Sequence, residues 1–173
     1  MQDHPILNHV VLGYSPMIDR ERAIVATRLT VFPARPDQPL DAAALLAAVA
    51  EVWPDGAGKV SLNVVSENLL HDLMLSKPSA NLMLEVPAFM AADIAHSEAI
   101  ATLFGLGNTL LLKGRPLTEL PRAVLPCFKH SIIDLRDERR SDAPPPPGVT
   151  RQITHVQAGV RTLAEMEQSF ARG

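Results

Sequence analysis

The chain has 173 residues, 47% hydrophobic and 20% charged, with a net charge of −3 at neutral pH, and at this length one domain buries roughly 70% of its unfolded surface. That balance excludes a disordered chain, and a slightly acidic protein lacks the basic surplus that nucleic-acid binding requires. Cys127 is the single cysteine, which excludes an intrachain disulfide framework and a cysteine-cluster metal site; a reducing, cytoplasmic setting is expected. The opening MQDHPILNHVVLGYSP has no basic leader region, and no run approaches the roughly 20 apolar residues of a membrane span. Neither secretion nor membrane association is expected. Prolines number 15 and aromatics make up 4% of the chain, which predicts short, punctuated elements and few platforms on which bases could stack.

In chain order, an apolar run at 9–14 and a β-branched run at 22–32 predict a strand or strand pair around the turn-like SPMIDRE. After the break PARPDQP, Asp41 is placed to cap a helix over 42–53, where Leu45, Leu46, Val49 and Val52 recur at helical spacing. Beyond the turn PDGAG, residues 59–65 read as a buried strand, and Ser66 opens a short helix over SENLLHDLML that the Lys77-Pro78 step stops. Residues 80–86 predict a strand, 89–104 a helix carrying Met90, Ile94, Ile100 and Leu103, and 108–112 a strand. A weakly patterned helix over 116–125 and a strand over 128–135 follow. This alternation predicts an α/β fold with parallel strands joined by crossover helices, as an open sheet or a β/α barrel. RDERRSDAPPPPG falls where the next helix is due; that helix is expected to be missing, with the proline-rich loop at 143–148 as a rigid connector. RQITHV at 151–156 and a helix over 161–171 resume the alternation, within a single domain over 1–173.

The chemistry is sparse. Gly105 and Gly107 follow a helix and not a strand, so FGLGNT reads as a helix C-cap and not as a phosphate loop. His4, His9, His71, His96, His130 and His155 stand singly, with no pair at i,i+4, and no metal site is expected of them. Cys127 reads as a small buried thiol, and no serine lies in a nucleophile-elbow pattern. Polar residues in or at the ends of apolar strands are the site candidates: Arg28, Asn63, Glu85, Lys113 and Asp134. The carboxyl ends of parallel strands share one rim, where such groups converge on a ligand. Taken singly, each is also an ordinary strand-end group reaching solvent or its own backbone.

Several segments are similar in order and spacing to bacterial EAL domains, especially those of EAL–HDOD regulatory proteins. SPMID, followed by the step from Asp19 into VATRLTVF, resembles the family opening QPIxD…VVGYELLFR. VSLNVVSENLL resembles F-V-N-x-S-x-E-x-L-L, NLMLEVPAFM resembles V-x-L-E-I-T-E-x, FKHSIIDLR resembles D-x-V-K-I-D-x, and QAGVRT resembles A-E-G-V-E-T. The resemblance is colinear over about residues 11 to 173, with no single motif intact. It implies a modified TIM-like β/α barrel of the EAL type, here shortened or incomplete, with the C-terminal barrel strand and the HDOD domain absent. Active members hydrolyse cyclic di-GMP with two divalent metals held by carboxylates and an Asn at the barrel mouth.

Carried over residue by residue, the resemblance sets the glutamate of E-A-L on Arg28 and the arginine that closes that motif on Phe32. Asn63 and Glu85 match ligand positions, whereas the acid beyond Glu85 has become Ala88. The Asp-Asp pair falls on Lys113 and Gly114, the lysine of K-I-D on Ile132, and the glutamate of A-E-G-V-E-T on Ala158. Asn63, Glu85 and Asp134 are the remnants of the ligand set. Cations standing where carboxylates should hold metal repel it, so the expectation is no catalytic residue, no metal and no cofactor. Arg28 or Lys113 is instead expected to pair with Glu85 as a built-in substitute for the ion. The function implied is a non-catalytic signalling domain acting through an unidentified protein partner. A non-hydrolytic cyclic di-GMP receptor is the alternative, and a residual phosphodiesterase the lesser one. An incomplete barrel leaves strand edges, and self-association is expected with it.

Overall fold

In the computed structural model of the chain, the residues described are 4–35, 37–54, 56–137 and 153–172. Strands β1 (Val10–Ile18) and β2 (Ile24–Pro33) form an antiparallel hairpin. The turn is tighter than SPMIDRE suggested, because residues 15–18 belong to β1. Asp19 closes it by accepting the Ala23 N–H on Oδ1 at 2.8 Å while its own N–H donates to the Ala23 carbonyl at 3.0 Å. Pro16 is tolerated in β1 because its partner Thr27 turns its N–H to the Lys59 carbonyl. The Pro16 main chain therefore faces away from β2, where a missing N–H costs no ladder bond.

Helix α1 (Ala42–Val52) begins where Asp41 accepts the Ala43 and Ala44 N–H groups, and buries Leu45 and Val49. Strand β3 (Val60–Val64) is followed by α2 (Glu67–Leu75), capped by the Ser66 hydroxyl. Strand β4 (Leu82–Pro87) runs directly into α3 (Ala88–Ala92), and α4 (Ser97–Gly105) precedes β5 (Thr109–Lys113). One helix over 89–104 is therefore not formed. Asp93 takes an extended backbone (φ −81°, ψ 122°), its carboxylate accepts the Ala95 N–H at 2.9 Å, and a 3-10 turn, Ile94–His96, fills the break. An aspartate that bonds its own backbone competes with the helix ladder. After α4, Gly107 (φ +91°) donates to the Phe104 carbonyl and Asn108 to the Leu103 carbonyl, the paired bonds of a glycine-terminated C-cap.

Residues 116–125 form no α-helix; only a 3-10 turn, Leu125–Cys127, leads into β6 (Phe128–Asp134). Pro121 removes a helical donor and Pro126 disfavours the helical region for the residue before it. Strand β7 (Thr154–Ala158) precedes α5 (Leu163–Arg172). The Thr162 hydroxyl accepts the Glu165 N–H, and the Glu165 carboxylate accepts the Arg161 and Thr162 N–H groups, a reciprocal capping box. The proline-rich segment at 143–148 lies outside the described residues.

The seven strands lie in sequential order, β1 antiparallel to β2 and every later pair parallel, in one curled half-barrel sheet. The architecture is α/β and compatible with a partial TIM-like fold. Alternate residues of the strands, Leu29, Val31, Leu62, Val64, Leu84, Val86, Leu110 and Leu112, join the helices in the main core. Leu70 and Leu73 of α2 are fully buried there, each stabilising by roughly 1.5–3 kcal/mol. Ala26, Met83, Leu111 and Ile132 form a separate, smaller cluster. No helix among the described residues is long and apolar enough to cross a membrane.

Candidate functional site

Side chains alternate across a strand, so the neighbours of the core residues point to the sheet face opposite the helices. On that face β2 presents Arg28 and Thr30, β3 Ser61 and Asn63, β4 Glu85 and β5 Lys113. The parallel register sets Arg28 beside Ser61 and Thr30 beside Asn63. Four of the five sequence candidates, Arg28, Asn63, Glu85 and Lys113, thereby meet in one polar cluster.

At its centre Arg28 Nε and Nη2 donate to Glu85 Oε1 and Oε2, each at 2.7 Å. Ser61 Oγ donates to Glu85 Oε1 at 2.8 Å. Both carboxylate oxygens are thus committed, and Glu85 has no exposed surface while the Arg28 side chain keeps 22%. A bidentate guanidinium–carboxylate pair is the strongest form of this contact and fixes orientation as well as charge. The hydrogen bonding to Glu85 raises the Arg28 pKa further above its ordinary value, against the opposing effect of burial.

Alongside, Lys113 Nζ donates to Asn63 Oδ1 at 2.8 Å, and Asn63 Nδ2 donates to Thr30 Oγ1 at 3.2 Å. Lysine only donates, so the amide oxygen must face it and the amide nitrogen must find the threonine. Burial lowers the Lys113 pKa, and the Arg28 charge adds to that lowering while Glu85 opposes it.

Asp134 is set apart from these bonds. It caps the chain beyond β6, accepting the Arg136 N–H at 2.9 Å, and its charge reaches Arg28 through space. Gly159, at φ +77°, leaves room for it: a Cβ there would lie 2.8 Å from Asp134 Oδ2. Of the other positions matched by resemblance, Phe32 shares the face of Arg28 and Thr30, Gly114, Ile132 and Ala158 lie beside Lys113 and Asp134 in the sheet, and Ala88 stands apart. Phe32 is 44% exposed on β2, and Ala88 is buried at the start of α3. Gly114 turns away from β5 at φ +83° with its N–H on the Ile132 carbonyl. Ile132 belongs to the small apolar cluster, with Ala158 packed against it.

Ser61 and Thr30 complete the cluster and were not among the sequence candidates. Their signal was available: each stands two positions from a candidate on the same strand, Ser61 from Asn63 and Thr30 from Arg28, hence on the same face. Among the described residues, no group of three or more His, Cys, Asp or Glu is arranged to hold a metal ion. Cys127 lies at the amino end of β6, donates to the Ala123 carbonyl, and burial raises its pKa, which keeps it a thiol and a poor nucleophile. A cleft of about 410 Å³ lies elsewhere, lined by Leu120, Leu125, Ile133 and Ile153 among others; it contains no residue of the polar cluster, and Gly114, next to Lys113, is its nearest approach. The cluster is therefore a fixed charge network with two cations and one buried carboxylate, suited to holding strands together and to repelling a divalent ion. No family profile and no curated protein matches this chain.

Proposed function

We propose that this chain is a non-catalytic EAL-type domain that acts by protein contact, as an interaction or regulatory module in bacterial signal transduction. The observation that supports the reading best is the Arg28–Glu85 pair. Two-metal hydrolysis of a phosphodiester needs carboxylates free to hold cations and to lower the pKa of the attacking water. Here both oxygens of Glu85 are taken by a guanidinium, and Lys113 brings a second positive charge to the same rim. In this reading Arg28 does mechanically what an ion would do, tying β2 to β4 across β3, without the chemistry an ion supplies. A fold retained without its chemistry is used through its surface. The β1–β2 hairpin exposes apolar side chains on both of its faces, Val11 and Ile24 on one and Tyr14 and Val25 on the other, and so offers surface for a partner.

The alternative reading, a non-hydrolytic cyclic di-GMP receptor, draws on Lys113, whose hydrogen-bond partner is the neutral Asn63, leaving its charge for a phosphate. The test is calorimetric titration of the purified chain with cyclic di-GMP, with magnesium or manganese and without, while the nucleotide is followed by chromatography. No heat and no linear product support the interaction module. Micromolar binding without turnover replaces it with the receptor, and turnover overturns both.

A further inference from the structure

We propose that His71 and His96 hold a transition-metal cation of the zinc, nickel or copper class in the helical layer, on the side of the sheet away from Arg28 and Glu85. His71 lies on α2 and His96 ends the 3-10 turn that breaks the expected 89–104 helix. Their ring centres are 5.4 Å apart with the planes at 63°. The Nδ1 atoms of both rings, and the Oγ of Ser97 next to His96, are buried and have no hydrogen-bond partner. They are the unsatisfied buried side-chain atoms among the described residues; the two rings are in contact, and Ser97 follows His96 in the chain.

A buried polar group left unsatisfied is costly, and in native proteins orphans of this kind are met by a bound water or ion. Edge-to-face packing accounts for the ring contact but gives neither nitrogen a partner. A shared cation does. Imidazole nitrogen suits zinc, copper and nickel, whereas magnesium and calcium take oxygen ligands. Imidazoles that share a tetrahedral cation at a Zn–N distance of about 2.0–2.1 Å hold their ring centres roughly 5 Å apart, close to the spacing observed. With two imidazoles supplied by the chain, the remaining positions fall to water, which sets the expected affinity in the micromolar range. The site was invisible in sequence because its two histidines lie on different elements, at no helical spacing.

The experiment is titration of the full metal-stripped chain with zinc chloride by calorimetry, and with cobalt chloride by visible absorption. One cation per chain at micromolar concentration is expected, with a rise in thermal midpoint as saturation proceeds. His71→Ala and His96→Ala should each weaken binding at least tenfold, and His9→Ala should leave it unchanged. Far-UV circular dichroism checks that the variants fold. Should either fail to fold, His71→Gln and His96→Gln replace them, and in the parent the imidazole NMR signals of His71 and His96 should be the ones zinc moves. Absence of saturable binding, or binding that both variants retain, overturns the proposal and assigns the orphaned atoms to water.

Discussion

Breaking the Arg28–Glu85 pair from either side should destabilise the fold by different amounts. Removing one member of a buried ion pair costs about 3–5 kcal/mol, because the other is left charged and uncompensated. Glu85 has no exposed surface and the Arg28 side chain keeps 22%, so the two losses are unequal. Glu85→Gln preserves the shape and the contact with Ser61, and leaves a guanidinium that can still turn toward water; its cost belongs near the lower end, about 3 kcal/mol. Arg28→Met leaves a carboxylate sealed from solvent with Ser61 and the nearby Lys113 charge for company; its cost belongs near the upper end, about 4–5 kcal/mol. Arg28→Met/Glu85→Leu removes both charges and should recover most of the loss, since replacing a buried pair by apolar residues is often neutral or stabilising. Urea denaturation of the parent, Arg28→Met, Glu85→Leu and the double variant gives the cycle, with Glu85→Gln measured beside it. Single variants within 1 kcal/mol of the parent, a Glu85→Ala protein more stable than the parent, or a double variant as unstable as the summed singles would each refute the reasoning.

Other outcomes follow from single contacts. Asp41→Ala removes the acceptor for two N–H groups at the start of α1 and should cost about 1 kcal/mol, read as a lowered thermal midpoint. Gly159→Ala sets a Cβ against the Asp134 carboxylate in a left-handed backbone conformation, which costs about 1–2 kcal/mol from the backbone alone; in Gly159→Ala/Asp134→Ala the added steric part should vanish. Lys113 has a lowered pKa, from burial first, so the unfolded chain holds its proton to higher pH than the folded one. The parent should gain stability relative to Lys113→Met as pH rises through the lowered pKa toward the ordinary lysine value, measured by denaturation across alkaline pH. The Glu165 carboxylate is held below its usual range by the Arg161 and Thr162 N–H groups. Its cap on α5 is fully present above the ordinary carboxylate range and should be lost as pH falls through the lowered value, seen as loss of α5 amide protection in NMR hydrogen exchange.

What was legible in the sequence is what local chemistry decides. Asp41 and Ser66 start helices because each carries an acceptor one residue before a helical apolar pattern. The runs at 59–65, 80–86 and 108–112 become β3, β4 and β5 because strands packed on both faces read as continuous apolar segments. Arg28, Asn63, Glu85 and Lys113 stood out because a charge or amide inside such a run has to be paired somewhere. Local pattern misled where two preferences competed. Asp93 won a bond to its own backbone over the helix that Met90, Ile94 and Ile100 promised, and the prolines at 116, 121 and 126 outweighed a weak apolar period. Tertiary structure alone decided the partners. Whether Glu85 meets Arg28 or Lys113 is a matter of sheet curl and register: Arg28 reaches across β3 to Glu85, whereas Lys113, on the neighbouring strand but two residues further along, reaches across β4 to Asn63. The meeting of His71 with His96 is likewise set by how α2 packs beside the break at Asp93. Sequence spacing carries no such information, because contacts between elements are fixed by the packing of the whole sheet and its helices.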